Sequence, residues 1–268
     1  MLRVIRVRLR YLFLLVVMLV IGFLALRAIY DHVENRRVAA LSWSLANKVI
    51  VVDPGHGGID PGSKGPTGAI EEDITLEVAR KLTTVLSQSG AIVLMTRESD
   101  MDLSDAQGGS LMARKRQDLA RRVAQANDHD ADAFISVHVN SFKSGPSEHG
   151  AQTFYQPGSE EGKKLATCIQ SELVRLLKNT DRKAKDVDYY TTRNAKMPAV
   201  IVEIGFISNA KEEKLMGDID YQGKIAYVIY SGMVKYFAEH ATPTSGEVDK
   251  EKALETFMQH KGEVYNAP

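Results

Sequence analysis

The chain has one cysteine, Cys168, among 268 residues, so no intramolecular disulfide can form, and cysteine usage does not identify a compartment. It has no excess of either charge: 34 basic and 34 acidic side chains cancel. The basic footprint of a nucleic-acid binder is therefore missing, and nucleic acid is excluded as an expected partner. There is no internal repeat. The one glycine-rich loop carrying a lysine reads "GSKG" at residues 62–65. That inverts the Gly-Lys order on which a phosphate-cradling loop depends.

What is present starts with an apolar run. Arg3, Arg6, Arg8 and Arg10 precede an uncharged stretch from Tyr11 to Leu26, and Ala28, Ile29 and Tyr30 extend it past Arg27. A basic flank followed by a hydrophobic segment is the layout of an export signal or a signal anchor. The run is a little short of the about 20 residues a full span needs, and Arg27 can snorkel to the interface. No small-x-small cleavage site follows directly; Val38-Ala39-Ala40 lies too far downstream. The reading favoured here is an uncleaved anchor over residues 1–30, with the domain outside the cytoplasm. A cleaved signal, giving a secreted domain, is the alternative. Residues 31–47 read as a linker or short amphipathic stalk, 48–240 as one catalytic domain, and 241–268 as a polar tail with a possible short helix at 250–259.

Within 48–240, hydrophobic periodicity alternates between two types. Val49–Val52, Ala91–Thr96, Ala133–Val139, Ala151–Tyr155 and Ala199–Ile204 are short apolar runs of strand character. Ile74, Val78, Leu82 and Val85 recur at helical spacing up to Gly90, a C-cap glycine. Residues 110–127, the segment around Leu165–Leu177, and 222–237 are further helices. Strands alternating with helices predict an α/β fold, a mostly parallel twisted sheet covered by helices on both faces.

Ligands of such sheets sit beyond the carboxyl ends of the strands. Three titratable residues fall there: His56 after the first strand, His138 in "FISVHVNS" and Glu203 in "PAVIVEIGFISN". The loop "VVDPGHGGIDPGSKGPTGAIEED", with six glycines and three prolines, brings Glu71 back to the same edge, immediately before a helix. Two histidines and a carboxylate make a catalytic zinc set, with the fourth position left for water; a further carboxylate can move the proton. His56, Glu71 and His138 suit the ligand roles and Glu203 the base. Plainer readings compete: a turn-capping histidine at His56, a satisfied core histidine at His138. Glu203 is harder to explain away, because glutamate is rarely buried unpaired. Glu72 and Asp73 read as acids favoured by a helix N-terminus. His32, His129, His149, His240 and His260 lie in polar stretches and read as solvated, Cys168 as core, and the arginines of "MARKRQDLARR" as a solvated helix face, though one could meet an anionic substrate.

The wording of three segments adds to this. "DPGHGGIDPG" with a glutamate after "GPTGAI", then "FISVHVNS", then "MPAVIVEIGFISN" resembles the zinc-dependent N-acetylmuramoyl-L-alanine amidases of the type-3 family, over roughly residues 48–238. "RRVAQAND" at 121–128 looks like the family's helix before the second histidine strand. The resemblance implies Zn2+ held by His56, Glu71 and His138, and a catalytic Glu203. It also implies cleavage of the amide joining the lactyl group of muramic acid to L-alanine in peptidoglycan glycan strands bearing stem peptides. The short "VNSFKSGPSEHG" leaves no room for the regulatory helix of the cell-division branch, and no wall-binding repeat is present. The layout looks like the germination-specific spore-cortex amidases, which remove stem peptides so that muramic δ-lactam can form. In that branch an accessory lipoprotein is a possible partner. Another zinc amide hydrolase of the wall, such as a peptidoglycan deacetylase, or an inactive wall-binding domain, are the alternatives.

Overall fold

The computed structural model describes residues 9–107 and 109–240. Arg3, Arg6, Arg8, His260, the tail 241–268 and its expected helix at 250–259 lie outside the described residues.

In chain order the elements are α1 (Leu9–Leu41), β1 (Val49–Pro54), α2 (Glu71–Gln88), β2 (Ile92–Met95), α3 (Leu111–Asp128), β3 (Ala133–Asn140), β4 (Gln152–Tyr155), α4 (Glu160–Glu172), β5 (Lys185–Asp186), α5 (Tyr190–Asn194), β6 (Ala199–Phe206), α6 (Ala210–Met216) and α7 (Ile219–His240). The six strands form one sheet in the order β2-β1-β3-β6-β4-β5. β1, β2, β3 and β6 run parallel, β4 pairs antiparallel with β6, and the two-residue β5 runs parallel to β4. The expected α/β, mostly parallel sheet with a preceding long apolar helix is what the chain forms.

Strand alternation divides the side chains between two faces. Ile50, Val52, Ile135, Val137, Val200 and Val202 enter the main core, which α2, α4 and α7 cover. Val51, Phe134 and Ala199 enter a much smaller cluster with Ala126 and Ala131, under α3 and α5. Continuing along that second face, the same period of two presents Asp53 on β1, Ser136 and His138 on β3, and Ile201 and Glu203 on β6. The second face is apolar at one end and polar at the other, and the polar end is where the site forms.

α1 continues unbroken beyond the apolar run. Between Tyr11 and Tyr30 the side chains are almost all exposed, and this stretch is long and apolar enough to cross a membrane. From Asp31 onward the chain packs on the domain. Val38 and Leu45 are buried in the main core. Lys235 Nζ lies 2.5 Å from Glu34 Oε1 and 2.6 Å from Glu172 Oε1, Arg175 lies 2.6 Å from Glu172 and 3.6 Å from Asp31, and Lys178 lies 3.4 Å from Asp31. Residues 31–47, expected as a linker or amphipathic stalk, are thus helical to Leu41 and docked. Their partners lie far away in the sequence, which is why local reading left them free.

Candidate metal centre

His56 leaves β1 in a left-handed conformation, φ 64°. Such a backbone is uncommon for a side-chain-bearing residue and persists only where surrounding contacts hold it. Here two buried arginines supply them. Arg122 donates to the carbonyls of Pro54 at 2.7 Å and His56 at 2.7 Å; Arg97 donates to those of Pro54 at 3.1 Å and Gly55 at 2.9 Å. Arg122 also pairs with Asp53 at 2.8 Å and Asp118 at 2.8 Å. Asp53 accepts from Thr96 Oγ1 and Ser136 Oγ, both at 2.6 Å. Burial alone would raise the Asp53 carboxyl, but Arg122 and the two hydroxyls outweigh it and hold its pKa below the usual value. The expected solvated arginine face of α3 is therefore corrected at Arg122, which is 1 % exposed. Removing one partner of a buried ion pair leaves the other charge uncompensated. Asp53→Ala is expected to cost about 3–5 kcal/mol of stability, read as a lower midpoint in urea unfolding.

The remaining site residues converge on the same place. Glu71 is the first residue of α2. Its Oε1 lies 3.2 Å from His56 Nε2 and 3.3 Å from His138 Nδ1 and accepts from Val139 N at 2.9 Å; its Oε2 accepts from Ser63 N at 2.9 Å. The two imidazoles meet edge to face with ring centroids 4.9 Å apart. A Cβ at Gly55 would fall 2.4–2.6 Å from the His138 ring, so that position admits only glycine if His138 keeps its place. Among the described residues, one donor atom from each of His56, Glu71 and His138 can be chosen so that all lie within 4.8 Å of one another.

This donor set fits zinc. Nitrogen and oxygen ligands about 2.0–2.1 Å from a tetrahedral centre lie about 3.3 Å apart, and the His56–Glu71 and His138–Glu71 separations are 3.2 and 3.3 Å. Burial alone would lower the pKa of His56, but the Asp60 and Glu71 carboxylates outweigh it and carry the imidazole up to about 9. Burial would raise Glu71; the two histidines overcome it and hold the carboxyl well below the usual range. Each histidine is thus matched to negative charge, the field a cation would also occupy.

Glu203 is the cross-strand neighbour of His138 in the β3–β6 ladder. β6 runs three residues past it and β3 two past His138, so both stand inside strands that the sequence reading had ended earlier. The register shifts just beyond, between His138 and Asn140. Among the described residues the buried Oε2 of Glu203 has no hydrogen-bond partner, and burial pushes its carboxyl up to about 7. Glu203, His56 and His138 line one cavity of about 260 Å³ with Asp60, Lys115, Leu119, Tyr189, Tyr190 and Ile201.

Sequence reasoning missed Asp60 and Lys115. Asp60 had a usable signal, since it stands four residues after His56 in the same loop; Lys115 had none. Glu72 stands in the first turn of α2 as expected, and it is buried there. His32, His129 and His149 are exposed, as expected. Cys168 is half-buried against the core, where burial pushes its thiol up to about 11.

The likeness to known proteins agrees with this site. Residues 50–235, more than half of the chain, match the family N-acetylmuramoyl-L-alanine amidase, Amidase_3. The germination-specific N-acetylmuramoyl-L-alanine amidase of Bacillus subtilis (strain 168) is 40% identical over 228 residues, covering 83% of this chain and 94% of that protein. Among solved structures, the CwlD amidase from Clostridioides difficile in complex with the GerS lipoprotein superimposes with a TM-score of 0.68 at 39% identity, over 71% of this chain and 98% of that one. An N-acetylmuramoyl-L-alanine amidase from Clostridium difficile 630 gives a TM-score of 0.64 at 32% identity, over 71% and 96%. On these matches the chain belongs to the N-acetylmuramoyl-L-alanine amidase family, as a peptidoglycan amidase homologous to the germination-specific enzyme.

Proposed function

We propose that the chain is a zinc amidase with His56, Glu71 and His138 as metal ligands and Glu203 as general base. The observation that carries this reading is Glu203 itself, whose buried Oε2 has no hydrogen-bond partner among the described residues and which stands in the strand next to His138. Held by His56, Glu71 and His138, a zinc ion would supply Lewis acidity, to polarise the scissile carbonyl and lower the pKa of water to about 7. Glu203 accepts the proton of the attacking water as the new C–O bond forms. It returns that proton to the nitrogen of L-alanine as the C–N bond breaks. A lactyl carboxylate and a free amine result. Burial raises the Glu203 carboxyl above its usual value, the direction that suits both halves of this exchange, since a general base works best with a pKa close to the operating pH.

The substrate is the peptidoglycan glycan strand with its stem peptides, cut between muramic acid and L-alanine. The setting is the spore cortex, where bare muramic acid can close to the δ-lactam. The similarity to the germination-specific relative supports this setting, and the C. difficile complex supports an accessory lipoprotein as partner. Mass spectrometry of digested purified peptidoglycan tests the bond. Free stem peptides with an N-terminal L-alanine are expected; deacetylated sugars with intact stems would favour the deacetylase reading.

Residues 1–30 form the membrane anchor, with 48–240 the catalytic domain outside and 241–268 a polar tail. The docking of α1 sharpens the expected result of truncation. Deleting residues 1–30 yields a soluble, active protein with unchanged thermal unfolding. Deleting 1–45 removes Val38 and Leu45 and leaves Lys235 without Glu34, and the unfolding temperature falls. Equal unfolding temperatures for the two truncations would show that 31–45 contributes nothing to the domain. A domain shielded from added protease in intact cells by the membrane would contradict the topology.

A further inference from the structure

His56 has a carboxylate at each ring nitrogen. Nε2 faces Glu71 at 3.2 Å, and Nδ1 faces Asp60 Oδ2 at 3.2 Å. A tight turn sends Asp60 back onto the ring: Gly57 N donates to Asp60 O at 2.8 Å and Asp60 N to Gly57 O at 3.2 Å. The other oxygen of Asp60 is held from a different element, by Lys115 Nζ of α3 at 2.8 Å. Asp60 is therefore fixed from both sides, by its own turn and by α3.

A neutral imidazole carries one N–H and one lone pair, and which nitrogen holds which is set by the partner of the N–H. With Nδ1–H donated to Asp60, Nε2 is the nitrogen that gives up its proton to a metal and presents a lone pair on the Glu71 side of the ring. Without Asp60 the proton can move to Nε2 and the ring can rotate, and both changes withdraw the donor. We propose that Asp60, braced by Lys115, is a positioning residue that fixes the tautomer and ring plane of His56 and thereby sets the zinc affinity of the site. This rests on the zinc reading above, in which His56 is a ligand.

The test measures zinc affinity of the metal-stripped, detergent-solubilised full chain, by competition with a chromophoric chelator. Partners behind a ligating histidine typically contribute about 10- to 100-fold in metal affinity. Asp60→Ala is expected to weaken zinc binding by that factor while thermal unfolding of the metal-free protein stays unchanged. Asp60→Glu, which can still reach Nδ1 with a carboxylate, recovers most of the loss, and Asp60→Asn falls between. Lys115→Met weakens binding less than Asp60→Ala, and the double variant is no weaker than Asp60→Ala alone, because both act through one ring. If Asp60→Ala fails to fold, Asp60→Asn and Lys115→Met carry the comparison. Wild-type affinity in Asp60→Ala, or in Asp60→Asn together with Lys115→Met, overturns the positioning role while leaving the ligand set intact. Retention of zinc in His56→Ala instead overturns the ligand reading on which the proposal stands.

Discussion

Glu203→Gln is expected to leave zinc bound and slow amide cleavage by about 100- to 10,000-fold, the range general acid–base assistance contributes. Glutamine matches glutamate in size, so the cavity wall beside His138 and Ile201 is preserved. It lacks only the capacity to take and return a proton. Folding is little disturbed, because among the described residues the native carboxylate has no ion-pair partner to orphan and its Oε2 already lacks a hydrogen bond. Metal content and turnover must be measured on the same sample. A ligand lost would release zinc; a base lost leaves it in place. Near wild-type turnover with zinc present removes Glu203 as the base and makes Glu72, the next buried carboxylate along α2, the candidate.

His56→Ala has the larger effect and the opposite signature. If His56 is one of three ligands, zinc and activity are lost together. The domain still folds. The His56 ring is about a quarter exposed and lies outside both hydrophobic clusters, and the carbonyl that Arg122 grips is backbone, which alanine retains. Circular dichroism of the variant should match the metal-free wild type, and metal analysis should find no stoichiometric zinc. A variant that keeps one zinc per chain sinks the ligand assignment.

How much of this was legible in the sequence depended on whether the signal was local. β1, β2 and β6 announced themselves through consecutive β-branched residues, Val49–Val52, Ile92–Val93 and Val200–Val202, and β3 through a short apolar run. The placement of His56, His138 and Glu203 followed from one rule about strand ends. The cross-strand pairing of His138 with Glu203 was not legible, since register between β3 and β6 is set by contacts across more than sixty residues. The two buried arginines were invisible for a related reason. Arg122 sits in a polar helix whose pattern suggests solvent, and besides Asp118 one turn away its partners are the distant Asp53 and the carbonyls of the β1 exit, which turn it inward. β5, with two residues, and α5 and α6, with five and seven, are too short for any periodicity to show. The antiparallel β4 reads locally like its parallel neighbours.

The unbroken α1 has a consequence for reach. Its 33 residues span about 50 Å at about 1.5 Å per residue, and the first contact with the domain, at Asp31, follows directly after the apolar stretch ends at Tyr30. With residues 11–30 in a bilayer, no slack chain separates lipid from catalyst. A flexible tether would let the cavity sweep a hemisphere of polymer. A stiff shaft clamped at its upper end lets it turn about one axis and travel only as the lipid flows. Anchored in that way, the enzyme would work like a blade at a fixed height, trimming the layer of glycan nearest the membrane and reaching outer layers only where that material is carried down to it.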